Sequence, residues 1–331
     1  MTRVDTAELN RLRDEAEAIA TVAAAADAGL LELLGEAGGT AGEIAGRGGF
    51  DARATAIVLG ALAQLGLLEE DGGRFRPTRR CRETLCRPGS EDYAAGGLPL
   101  WLRNLRAHTL LADALRDGGP VTLEDEAAVG EPEDEEGIKR FMAAMAAAPR
   151  ERTERLAELC LARRPDARSV LDVGGGPGHI ARAFARRGLR VTLLDTPDTV
   201  EVVAREYGLR EVEGLTLAGG DFNADPLPEG PFDIVLLSNV LHIYGPGRNR
   251  ELLRRVGEAC SPGGVAAIAD FVRGRSPRAA RFAVVMLLRT EEGNTYTEEE
   301  FAAWLREAGF GDVETADLDE DRQLVTGVKG R

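Results

Sequence analysis

Three aspartates close apolar runs in the second half of this chain: Asp172 in "SVLDVGGGPG" (169–178), Asp195 in "RVTLLD" (190–195) and Asp221 in "LTLAGGDF" (215–222). The first stands just before a turn rich in glycine, where a backbone without Cβ atoms can approach a ligand closely. A carboxylate in the position of Asp195 can accept both hydroxyls of a ribose, which excludes a 2′-phosphate. Asp221 and Phe222 offer an acceptor and an aromatic face to an adenine. A dinucleotide fingerprint beginning at Gly174 requires glycine at position 179, where His179 stands. The spacing therefore favours an adenosyl ligand over NAD, and an NAD-dependent oxidoreductase is the weaker reading. Of the three histidines, His108 lies in an Arg-rich helical stretch and is read as structural or surface. His179 is read as a helix cap or cofactor neighbour, and His242 in "SNVLHIY" is left as the candidate for chemistry.

These residues need strand ends to hold them. From residue 168 onward the runs "SVLDV", "RVTLLD", "LTLAGGDF", "FDIVLLSN", "VAAIADF", "VETADL" and "QLVTGVK" read as strands. Helical segments separate most of the early neighbours, a pattern that predicts a parallel sheet covered on both faces. Only "DEDR" separates the last two strands, so they are expected to form an antiparallel hairpin at one edge. Upstream, apolar spacing predicts a long helix broken once over residues 8–34. Thr40 with Glu43 makes a capping box, Asp51 caps a third helix, and Asp71-Gly72-Gly73 signals a hairpin. Helix, short helix, helix and hairpin in that order spell a winged helix. The stretch 96–164 reads as helical, interrupted by the acidic run "DEAAVGEPEDEEG", which is expected to be a solvated loop.

The 331 residues suffice for two domains. With 56 acidic against 41 basic side chains the net charge is -15, which repels nucleic acid at long range. The third helix of the winged helix, "ARATAIVLGALAQLG", is mostly apolar with Arg53 and Gln64 as its polar readers. It suits burial against another subunit better than a DNA groove. Arg74, Arg76, Arg79, Arg80 and Arg82 nevertheless make a basic wing, so a ligand-sensing DNA-binding regulator is the reading from another class. Four scattered cysteines, no apolar leader and no membrane-length apolar stretch lead to the expectation of a soluble cytoplasmic protein, with no membrane partner and no metal.

On "VLDVGGGPG", "GDF", "SNVLHIY" and "TEEEFAAWLREAGF" the chain resembles the class I S-adenosylmethionine (SAM) dependent small-molecule O-methyltransferases with an N-terminal winged-helix dimerisation domain, the group of plant phenolic and bacterial antibiotic methyltransferases. The resemblance implies an α/β fold: a Rossmann-like seven-stranded methyltransferase domain with an antiparallel edge strand, preceded by a mainly α winged-helix domain. The boundaries expected are 1–100 for dimerisation, 101–165 for helices contributing to the acceptor pocket, and 166–331 for SAM binding. It implies a homodimer, a small-molecule acceptor and S-adenosylhomocysteine as product. Asp172, Gly174, Gly176, Asp195, Asp221, Phe222, Ser238 and Tyr244 would border the cofactor, with Ser238 standing where many relatives have a lysine. Phe141 and Met145 would line the acceptor. Arg289 and Thr290, following Met286, would border it too and meet a carboxylate or quinone oxygen.

The resemblance makes His242 the general base. Methyl transfer from a sulfonium needs mainly alignment. A phenol, with a pKa near ~10, also benefits from a base such as imidazole, whose pKa is near ~6.5. In plant relatives an aspartate follows this histidine, and here Ile243 does. A second acid that orients the ring there aligns with Thr295, leaving Glu291 or Glu292 as substitutes from the same loop. An unoriented imidazole is a weaker base, so an already acidic hydroxyl is the expected acceptor. The alternative implied by other relatives is C-methylation of a 2-oxo acid or similar carbon acid, with His242 on a metal.

Overall fold

In the computed structural model the described residues are 5–35, 37–88, 93–123 and 134–330. Most of the expected acidic loop lies outside them. Two compact units emerge, one of residues 1–105 with 143–148, the other of residues 106–142 with 149–331.

In the first unit the long helix breaks as expected, giving Thr6–Asp27 and Leu30–Leu34. The short strand β1 (Gly39–Thr40) leads into the helix Ala41–Gly48, where Thr40 and Glu43 exchange both capping-box bonds. Asp51 accepts from the Ala54 N–H at 2.8 Å and starts the helix Ala52–Gln64. Strands β2 (Leu68–Asp71) and β3 (Arg74–Pro77) pair as the hairpin, and β1 joins β3 on its other side. Both loop residues, Gly72 and Gly73, have positive φ, the geometry that matches a tight turn to strand twist. Leu31, Leu34, Ile44, Leu59, Leu62 and Phe75 form the core beneath.

The second unit is built on a seven-stranded sheet in the order β11-β12-β8-β7-β4-β5-β6. The strands are β4 (Ser169–Val173), β5 (Arg190–Asp195), β6 (Leu215–Gly219), β7 (Phe232–Ser238), β8 (Cys260–Asp270), β11 (Phe310–Asp317) and β12 (Gln323–Lys329). Strands β4 to β8 run parallel, whereas β12 is antiparallel to both β8 and β11. A two-residue parallel pair, β9 (Val272–Arg273) with β10 (Tyr296–Thr297), follows the end of β8. Every residue of β4 is buried, as a strand covered on both faces must be. One face packs Leu171, Val235, Leu253 and Trp304, the other Val170, Ile180, Phe184 and Leu236. Chain order reverses between β4 and β7, so the crevice beyond their carboxyl ends is where such a sheet takes ligands. The third strand is shorter than its sequence pattern: β6 stops at Gly219, which leaves Asp221 and Phe222 in the following turn.

Candidate active site

The glycine turn leaves β4 with its backbone anchored to β5. The N–H groups of Gly174 and Gly175 donate to the Leu194 carbonyl at 2.8 and 3.2 Å. Gly174 and Gly176 both lie at positive φ, and a Cβ on Gly174 would stand 2.9 Å from Val240. Asp195 caps β5 and holds the turn: its Oδ2 accepts from the Gly176 N–H at 2.9 Å and its Oδ1 from the Thr196 N–H at 2.8 Å. Each carboxylate oxygen keeps a second lone pair for a hydroxyl.

Asp172 is 1% exposed, and neither of its oxygens has a hydrogen-bond partner among the described residues. Burial, with the Asp195 charge adding to it, pushes its carboxyl up to about 7. A buried acid left this way is complementary to a cation from outside the protein, and SAM carries an ammonium and a sulfonium. The residues present therefore fit that cofactor: Asp172 for its positive charge, Gly174 and Gly176 for close approach, Asp195 for a diol.

The residues expected at an adenine lie in and against the turn after β6. Asp221 accepts from the Asn223 N–H at 2.8 Å, and Asp225 closes the turn on the Asp221 N–H. Phe222 packs its edge against Tyr244, ring centroids 6.3 Å apart, and Asn223 donates to the Tyr244 hydroxyl at 2.8 Å. Ser238 ends β7 half-buried, accepting a long 3.4 Å contact from Asn239. That asparagine has φ +58, a bend in the chain immediately before the turn that carries His242.

His242 sits in the 3-10 turn Leu241–Ile243, fixed from three sides. Asn249 donates to the carbonyls of Leu241 and Tyr244, the Asn294 N–H donates to the His242 carbonyl, and Phe282 stands edge-on at 4.9 Å. Its Nδ1 lies 2.7 Å from Oδ1 of Asp270, the last residue of β8. This corrects the sequence reading of the histidine as a weaker, unoriented base. Thr295 instead donates to the Ala279 carbonyl, and the orienting acid comes from a different strand. Its signal was present in "VAAIADF", an aspartate ending an apolar strand two places from β4 in the sheet. With Asp270 there, the inference that an already acidic hydroxyl suits this site better than an ordinary phenol loses its basis.

The other expected residues are placed as follows. Met286 is buried on the helix Ala279–Arg289 and its carbonyl accepts from the Thr290 hydroxyl, so Thr290 acts as a helix end. Arg289 is the last residue of that helix. Phe141 is 37% exposed, while its neighbour Met142 is buried with its sulfur 3.4 Å from the position of a Cβ on Gly176. Met145 belongs to the residues 143–148 that cluster with the first unit. His179 begins the helix after the glycine turn, and burial, helped by Arg152, pushes it down to about 4 and keeps it neutral. Among the described residues no group of three or more His, Cys, Asp or Glu is arranged to hold a metal ion.

A glycine turn, two strand-end acids and a His–Asp pair on this sheet define the class I methyltransferase fold. Human N-acetylserotonin methyltransferase in complex with SAM matches it with a TM-score of 0.85 at 25% identity, covering 100% of both chains. In sequence, the O-methyltransferase domain family matches residues 109–311. The tetracenomycin polyketide synthesis 8-O-methyl transferase TcmO of Streptomyces glaucescens is 31% identical over 88% of this chain and 87% of its own. The 3-hydroxy-5-methyl-1-naphthoate 3-O-methyltransferase of Streptomyces sahachiroi is 31% identical over 93% and 91%. The chain belongs to the O-methyltransferase domain family and is a SAM-dependent O-methyltransferase.

Proposed function

We propose that this enzyme methylates a hydroxyl of an aromatic or polyketide-like metabolite, with His242 as general base and Asp270 as the residue that orients it. The carrying observation is the 2.7 Å contact between His242 Nδ1 and Asp270 Oδ1. A carboxylate only accepts, so Nδ1 bears the proton and the Nε2 lone pair is left for the acceptor. When bound, SAM supplies an electrophilic methyl carbon whose leaving group, a neutral thioether, requires no proton. His242 takes the hydroxyl proton at Nε2, which makes the acceptor oxygen a better nucleophile. Asp270 holds the ring in one tautomer and stabilises the imidazolium that results. Burial of the pair keeps water from competing for the base.

The relatives support an aromatic acceptor, since the two streptomycete proteins act on a tetracenomycin polyketide and a naphthoate by name. For the assembly we propose a homodimer through residues 1–100, with 101–165 contributing to the acceptor pocket and 166–331 carrying SAM. Leu9, Leu12 and Ile19 lie on one face of the helix Thr6–Asp27 and are left exposed, as are Ile57 and Leu65. Such apolar side chains favour an interface. Arg74 and Arg79 of the basic wing are paired to Glu43 and Glu83, which weakens the wing as a DNA contact. The four cysteines are free thiols, in keeping with a cytoplasmic location, and no helix among the described residues is long and apolar enough to cross a membrane. Incubation with methyl-labelled SAM and a panel of phenols, hydroxyquinones and 2-oxo acids tests the reaction. Label on oxygen, lost in His242→Ala, is the expected result; label on carbon would overturn it.

A further inference from the structure

The loop between β11 and β12 ends on Arg322, whose next neighbour Gln323 pairs in register with Asp270. Its guanidinium carbon lies over the Phe271 ring, 3.0 Å from the centroid, and 5.9 Å from the centroid of Phe282. Phe271 and Phe282 stack at 4.2 Å, and Phe282 is the ring against which His242 stands at 4.9 Å. Arg322 and His242 thus flank one aromatic pair, both within 6 Å of Phe282.

The other charges around this loop are matched. Asp319 pairs with Arg152 and accepts from the backbone N–H groups of Asp321 and Arg322. Asp321 pairs with Arg278. Asp270 Oδ1 receives His242 and the Phe271 N–H, and its Oδ2 has no partner among the described residues, so the arginine does not bond to it. Among the described residues the Arg322 side chain has no hydrogen bond or ion pair of its own. Burial pulls it down to about 9, against the opposing attraction of Asp270. A half-buried guanidinium without a protein partner among the described residues is open to a ligand, and a planar oxyanion matches its fork with two parallel bonds.

We propose that Arg322 is the anchor for an acidic group of the acceptor, which makes the preferred acceptor a hydroxylated aromatic carboxylate. Phe282, half-buried and within 6 Å of both polar ends, provides the apolar surface, and His242 faces the hydroxyl. This specificity rests on His242 being the base, so the test must separate the two claims.

Binding to the full-length protein saturated with S-adenosylhomocysteine does so, because no turnover is required. Calorimetry would compare 3-hydroxy-2-naphthoate with 2-naphthol in the wild type, Arg322→Gln and Arg322→Lys, with thermal melts confirming that each variant folds. The expected result is at least tenfold tighter binding of the carboxylate in the wild type. Arg322→Gln brings that preference to about one, and Arg322→Lys restores part of it. No preference in the wild type, or the same preference in Arg322→Gln, overturns the proposal. So does, in a parallel turnover assay with SAM, an equal kcat loss on both acceptors with a displaced pH profile, because Arg322 would then be acting on Asp270. His242→Ala should leave the carboxylate preference intact. If it instead retains wild-type turnover, the base assignment fails while the anchor stands.

Discussion

Asp172 and Asp270 stand at the carboxyl ends of two parallel strands, as the penultimate residue of β4 and the last of β8, with only β7 between them, and both are almost completely buried. Their partners differ. Among the described residues Asp270 receives an imidazole and a backbone N–H on one oxygen, whereas Asp172 receives nothing on either. Burial without compensation raises the cost of a charge, and for Asp172 it shows as a carboxyl pushed up to about 7. Asp172, at the proposed cofactor end, is thus left unsatisfied by the described residues and suited to a cationic ligand. The acceptor end is completed by the protein itself, which fixes the base before any substrate arrives.

The two ends should separate cleanly under mutation. His242→Ala is expected to lower kcat by roughly 10²–10⁴-fold, the span typical of a removed general base, with SAM affinity unchanged. Asp270→Asn should follow with a loss on the order of 10²-fold or more, because an amide can donate to Nδ1 and favour the wrong tautomer. Single-turnover methyl transfer and calorimetry measure the two quantities. A fall in SAM affinity in either variant would dissolve the distinction between the ends.

Asp172→Asn should do the reverse. Losing a charge-assisted contact costs about 1.5–3 kcal/mol, so SAM should bind roughly 10–100-fold more weakly, with little change in the chemical step. The same acid predicts a pH effect on the protein without ligand. Its folded value, about 7, lies above the ordinary 3.8, so the folded state holds the proton more firmly than the unfolded one. Stability from this group is full below pH ~4 and is lost as pH rises through about 7, by roughly 1.4 kcal/mol for each pH unit between the two values. The amide introduced by Asp172→Asn does not titrate. Melts of the variant minus wild type should therefore climb between pH ~4 and about 7 and level off above it, while SAM binding to the wild type tightens over the same range. A flat difference would mean that Asp172 is already paired.

The cofactor end was the more legible of the two in the sequence. Asp172, Gly174, Gly176 and Asp195 come from two consecutive strands and one turn, so local spacing carries nearly all of their geometry. Asp270 was missed because its relation to His242 is set by sheet order: β7 and β8 are neighbours, and the side chains meet only once the turn at Asn239 folds back over the sheet. Proximity in sequence points instead to residues beside His242 and around Thr295. Phe222 shows a smaller version of the same effect: its strand pattern outruns the pairing, since β6 loses its partner at Gly219. In the first unit the Thr40–Glu43 capping box, the Asp51 cap and the hairpin glycines are local signals, and they appear where the sequence puts them.

Tyr244 touches both ends, and the smallest predicted effect concerns it. Its carbonyl accepts from Asn249 and Tyr296 and so helps to hold the turn of His242, yet its ring packs on Phe222 and its hydroxyl accepts from Asn223. Tyr244→Phe keeps the carbonyl and the ring and removes only the hydroxyl. The lost bond is a single neutral one in a partly exposed place, worth about 0.5–1.5 kcal/mol. If the side chain serves the cofactor end, SAM affinity should drop by about tenfold or less, with kcat and the acceptor KM unchanged. A change confined to the acceptor KM would move the Tyr244 side chain to the acceptor end, and the boundary between the two ends would then run through the Phe222–Tyr244 contact.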